Sequence, residues 1–69
     1  MGAETELEMV ERHVREGERQ LARQRAVVAR LGASGLPTGE AEALLDTFED
    51  IQRLHEAHLT RIQGRRSSS

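Results

Sequence analysis

The chain has 69 residues, of which 32% are charged and 36% hydrophobic, and its formal net charge is -2. A chain of this length forms one small domain with a limited core. The absence of cysteine excludes disulfides and thiolate metal sites, and the net charge gives no overall attraction for nucleic acid or anionic membranes. No apolar run approaches the ~20 residues needed to span a bilayer. We therefore expect a cytoplasmic protein with no membrane partner.

The first predicted element is a long helix over residues 5–31. Thr5 followed by Glu8 fits a capping box, the local signal for the start of a helix. Beyond it, eight residues at spacings of three and four share one side of the helix, although Gly17 and Gln24 pack less well than Leu or Val. This stripe predicts a helix that contacts a partner along its whole length. Its residues are Leu7, Val10, Val14, Gly17, Leu21, Gln24, Val28 and Leu31.

Residues 32–37 contain the only strong helix-breaking cluster, which includes two glycines and Pro37. A second helix is predicted over residues 38–63, with Thr38 as its N-cap. Residues 64–69 are expected to form a disordered tail. The residues of the second helix assigned to the interface are Leu44, Leu45, Phe48, Ile51, Leu59 and Ile62.

The short loop and the similar helix lengths predict an all-α fold, with residues 1–69 forming a single antiparallel hairpin. Charge supports this direction, because residues 19–37 hold four arginines and no acid, whereas residues 38–50 hold five acids and no base. Two helices leave part of the second apolar stripe exposed. We expect a second copy to cover it in a homodimeric four-helix bundle. A hairpin that docks on a larger protein fits the same pattern.

Three histidines are the clearest candidates for a chemical site. His55 falls near the middle of the second stripe and His58 toward its edge, and a turn centred near residue 35 places His13 opposite His58. Three such imidazoles are a feasible ligand set for zinc or another first-row metal. The interpretation that we favour is that each histidine hydrogen-bonds a neighbour and that no metal or cofactor is bound. Gly17 would leave room for the bulk of His55 or for a close helix crossing.

A row of arginines follows the outer face of the first helix. The row consists of Arg12, Arg15, Arg19, Arg23 and Arg30. The acid-free segment of the helix, which holds Arg19, Arg23, Arg25 and Arg30, has the charge to follow a nucleic-acid backbone. No aromatic side chain accompanies the row to stack on bases. A solvated charged face is the simpler interpretation, and RNA or DNA binding is the alternative.

Two segments of the chain, residues 13–25 and residues 42–48 followed by His55, are similar to a group of short bacterial helical-hairpin proteins. This resemblance implies a helical hairpin and no particular activity. In architecture alone, the chain also resembles Rop, a plasmid RNA-binding hairpin dimer.

Catalytic motifs are missing from the sequence. The serines lie in the loop and tail without an adjacent base, and no phosphate-binding loop is present. The sequence therefore predicts a non-enzymatic interaction or regulatory module that binds itself or an unidentified protein. RNA or DNA binding by the arginines and metal binding by the histidines are the alternatives.

Overall fold

A computed structural model of the chain describes residues 2–67. Helix α1 spans Glu6–Ala33 and helix α2 spans Gly39–Ser67, and no strand occurs among these residues. The helices pack on each other, and the all-α hairpin predicted from the sequence is confirmed. The molecule measures 54 × 27 × 13 Å along its principal axes. Its thickness is close to the ~10–12 Å diameter of one helix, so both broad faces of the hairpin are open. Within the described range, neither helix is long and apolar enough to cross a membrane.

The capping box at the start of α1 is confirmed. The Glu8 backbone N–H donates to the Thr5 hydroxyl oxygen at 3.1 Å, and the Thr5 backbone N–H donates to the Glu8 carboxylate at 3.3 Å. The two bonds satisfy backbone donors that have no partner inside the helix. The start of α1 is therefore determined by residues three positions apart.

The loop begins with a Schellman motif, in which one residue with positive φ closes the last turn of α1. Gly35 has φ +70°, and its N–H donates to the Gly32 carbonyl at 3.1 Å. The Leu36 N–H donates to the Leu31 carbonyl at 2.9 Å. Glycine fits this position because other residues pay a steric penalty in the left-handed region.

Helix α2 is longer than the sequence predicts. It continues through Gly64 to Ser67, whereas we expected it to end at residue 63, before a disordered tail. Ile62 is buried against α1, and the Arg65 guanidinium lies 3.6 Å from the Glu6 carboxylate of α1. These contacts offset the ~1 kcal/mol that a glycine costs inside a helix. The part of the predicted tail at residues 68–69 lies outside the described residues.

The contact between the helices is a narrow seam. Within the described range the buried side chains are those of Val10, Leu21, Gln52 and Ile62, and Val10 alone of them is fully buried. The rest of the predicted α1 stripe is half-buried, as are Leu45, Phe48 and Leu59 of α2. Two residues assigned to the interface, Leu44 and Ile51, are 45% and 44% exposed. Gln52 therefore occupies the place on the seam that the sequence pattern gave to Ile51.

Candidate functional site

A buried glutamine joins the two helices near the middle of the hairpin. Gln52 is only 3% exposed, and its Nε2 donates to the Val14 backbone carbonyl at 2.9 Å. Its Oε1 lies 1.7 Å from where a Cβ on Gly17 would be, which places it along a Cα–H bond of the glycine, the arrangement of a weak C–H···O contact. Gly17 thus makes room for Gln52, and the prediction that it accommodates His55 is wrong.

Sequence reasoning did not single out Gln52, although a signal for it exists. Residues 45, 48, 52, 55, 59 and 62 follow one another at alternating spacings of three and four. That series is the regular pattern of a helix seam, and Gln52 and His55 are its polar members. Because Ile51 is apolar and Gln52 is polar, the predicted stripe included Ile51 in place of Gln52.

His13 and His55 meet across the seam, next to Gln52. Their ring centroids are 5.3 Å apart, with 34° between the ring planes. The predicted partner of His13 was His58, so the register is shifted by about one helical turn from the predicted one. Among the described residues neither imidazole has a hydrogen-bond partner.

The two imidazoles line a small cleft on one broad face of the hairpin, which we call the front face. The cleft has a volume of about 90 Å³ and is also lined by Glu16, Gln20, Phe48 and Ile51, with Gly17 and Gln52 at its base. Two of its polar atoms, Gln52 Oε1 and His55 Nδ1, are buried without a hydrogen-bond partner. Buried polar atoms are rarely left unpaired. This cleft is therefore the candidate site for a ligand or water that would satisfy them.

His58 has a different environment at the open end of the hairpin. Its Nε2 lies 3.4 Å from the Glu6 carboxylate, which also faces Arg65. Among residues 2–67, no group of three or more His, Asp or Glu side chains is placed to hold a metal ion. The three predicted metal candidates are therefore divided into the pair His13–His55 and the separate His58.

Arg12 and the arginines of the acid-free segment of α1 differ in their partners. Arg12 donates two hydrogen bonds to the Glu4 carboxylate, at 2.9 and 3.1 Å, and one to Glu16 at 3.1 Å. The Arg12 guanidinium holds the pKa of Glu4 below its ordinary value. The four arginines of the acid-free segment are exposed and have no ion pair among the described residues. These four are Arg19, Arg23, Arg25 and Arg30.

The opposite charges in the loop half of the hairpin do not pair. Within the described range, the ion pair between α1 and α2 is the one that Glu6 makes with Arg65 at the open end. Arg53, three residues beyond the acidic part of α2, bonds to Asp50 on its own helix. The loop half therefore carries a basic face on α1 and an acidic face on α2, both open to solvent.

Apolar side chains on the front face are partly exposed. Leu44 and Ile51 are seven residues apart, and half-buried Phe48 lies between them, which gives an apolar row along α2. Two further leucines, Leu36 and Leu54, are 54% and 69% exposed.

Comparisons of the chain with models of protein families, with curated proteins and with solved structures find no match. The resemblance to short bacterial hairpins therefore remains a prediction.

Proposed function

We propose that the protein is a non-enzymatic interaction module that works as a homodimer, in which two hairpins pack by their front faces into a four-helix bundle. The observation that carries this proposal is the apolar row of α2, whose members Leu44 and Ile51 are nearly half exposed. Burying a Leu or Ile side chain completely stabilises by about 1.5–3 kcal/mol. The exposed fraction of each side chain is therefore a substantial driving force for association.

The position of the row favours a second copy as its occupant. Gln24 donates to the Ala41 carbonyl at 2.8 Å, and Gln52 bonds to Val14. Midway between these contacts, residue 19 of α1 is level with residues 46–47 of α2. The row over residues 44–51 is thus level with the middle of α1. A twofold axis that passes through the interface at this level, perpendicular to the helices, packs the apolar row of one protomer on the same row of its partner. Such contact between identical surfaces is what an isologous interface requires.

The charge distribution along α1 is compatible with the same arrangement. The twofold axis places α1 of one protomer antiparallel to α1 of the second copy. Residues 1–18, with six acids and two arginines, then lie along residues 19–37, with four arginines and no acid. Exposed pairs of this kind are worth about 0–1 kcal/mol each, so they set direction more than affinity. The open basic faces of the loop halves acquire acidic neighbours in the dimer.

Sedimentation equilibrium of the wild type and of two variants tests the dimer. The wild type is expected to sediment as a dimer, and Leu44→Glu as a monomer, because a carboxylate cannot be buried in the row without a partner. Leu36→Glu is the matched control, since Leu36 is an exposed loop leucine outside the row, and this variant should remain dimeric. A folded wild-type protein that is monomeric at all concentrations overturns the proposal.

RNA or DNA binding is a second candidate, favoured by the four exposed arginines that have no ion pair among the described residues. Binding to phosphates should weaken steeply with salt. Arg19→Ala and Arg23→Ala should each reduce the slope of log affinity against log salt by about one. Arg53→Ala, which removes an arginine bonded to Asp50 on the acidic helix, should leave the slope unchanged. A low-salt gel shift without any complex rules out this candidate.

A further inference from the structure

We propose that His13 and His55 bind one divalent first-row transition metal ion, with zinc as the representative, in the cleft of the front face. Both imidazoles belong to the same chain and line the same cleft. The site therefore does not require the dimer, and it differs from the set of three histidines suggested by the sequence.

The unpaired polar atoms of the cleft point to a ligand. Leaving a buried donor or acceptor without a partner is unfavourable, and two residues that line the cleft each have one such atom, Gln52 Oε1 and His55 Nδ1. The ring of His13, 5.3 Å from that of His55, also has no hydrogen bond within the described part of the chain. Imidazole nitrogens that are free of hydrogen bonds are available as metal ligands.

The separation of the rings matches a shared ion. With metal–nitrogen bonds of about 2 Å and a tetrahedral angle, the centroids of two imidazoles on one ion lie about 5 Å apart. The observed separation is 5.3 Å. Both rings line the same cleft, and the proposed site needs rotation of the two side chains to bring one nitrogen of each ring to the ion.

The rest of the cleft provides room for water ligands at the other coordination positions of the metal, and acceptors for the hydrogen bonds of those waters. A volume of about 90 Å³ accommodates an ion with water ligands, since one water takes about 30 Å³ of liquid. A metal-bound water donates hydrogen bonds, and Gln52 Oε1 is a buried acceptor that lacks a donor. The Glu16 carboxylate at the cleft is a second acceptor, held by a hydrogen bond from Arg12 at 3.1 Å. Such outer acceptors orient water on a metal.

Zinc titration followed by calorimetry tests the site, with histidine variants of the full chain. The wild type is expected to bind one zinc ion per chain. His13→Ala and His55→Gln should each weaken binding about tenfold or more, in the range that loss of a metal-site group produces. His58→Gln is the matched control, because His58 lies beside Glu6 at the open end, and its affinity for zinc should be unchanged. The Leu44→Glu variant should also bind zinc, which separates the site from dimerisation.

NMR spectra of the histidine ring nitrogens, recorded on the wild type with and without zinc, test the site without any variant. This measurement applies even if a histidine variant fails to fold. Zinc should shift the ring signals of His13 and His55 and leave those of His58 in place. A folded wild type that binds no zinc overturns the proposal. Equal weakening in all three histidine variants, or a zinc shift confined to His58, overturns it as well.

Discussion

Replacing Gly17 with alanine tests the contact between Gly17 and Gln52, which determines the register between α1 and α2. An ideal Cβ on Gly17 would lie 1.7 Å from Gln52 Oε1 and 2.7 Å from Gln52 Cδ. Real side chains do not approach this closely, so Gln52 must move. Its hydrogen bond to the Val14 carbonyl, 2.9 Å long, is then lost or distorted.

The expected loss of stability follows from three contributions. Alanine in a helix interior is favoured over glycine by about 1 kcal/mol. Against this stand the lost hydrogen bond, worth about 1 kcal/mol, and the strain of overpacking, typically about 1–3 kcal/mol. We therefore expect Gly17→Ala to destabilise the hairpin by about 1–3 kcal/mol, opposite in sign to helix propensity. In a domain of this size, 1 kcal/mol corresponds to about 4–8 °C in Tm.

Urea unfolding of a double-mutant cycle measures the effect. Gly64→Ala is the matched control, because it replaces a helical glycine whose added Cβ would have nothing within 4 Å, and it should stabilise by up to ~1 kcal/mol. In a Gln52→Ala background the obstacle is gone, so Gly17→Ala should become stabilising. The reasoning is refuted if Gly17→Ala stabilises the otherwise wild-type chain as Gly64→Ala does, or if its effect is the same in both backgrounds.

Three further predictions concern the loop, the seam and the first turn. Gly35→Ala should destabilise by about 1–2 kcal/mol in thermal unfolding, because its φ of +70° is unfavourable for a residue with a Cβ; an unchanged Tm would contradict this. Gln24→Ala should cost about 0.5–1.5 kcal/mol in urea unfolding, since it removes the 2.8 Å bond to the Ala41 carbonyl; no loss would show that this bond contributes nothing.

The third of these concerns Glu4, whose pKa is lowered by hydrogen bonds from Arg12. An NMR titration should find this pKa below the ordinary value, and Arg12→Gln should return it there. Because the pKa is lower in the folded state, the pair stabilises the fold above the unfolded pKa, and the contribution is lost as pH falls through the folded pKa. An identical Glu4 titration in both proteins would contradict the assignment.

The parts of the fold that depend on near neighbours were predictable. The capping box joins residues three positions apart, and the loop motif is specified by glycines and a proline within six residues. Stripe periodicity also included both residues of α1 that are buried, Val10 and Leu21, because it needs only the constant rotation per residue. The candidate site was predicted in part: His13 and His55 were named, but His58 was included and Gln52 was not.

By itself, the amino-acid sequence determined two helices, their start and turn signals, and the antiparallel direction of the hairpin. Tertiary structure alone decided the register between the helices and which polar residue is buried. Sliding one helix by a turn keeps the apolar stripes in contact, so periodicity does not distinguish the two registers. Gln52 does distinguish them, because its side chain fits where Gly17 lacks a Cβ and where the Val14 carbonyl accepts its hydrogen bond. That fit depends on atoms 35 or more residues apart in the chain, and it brings His13 to His55.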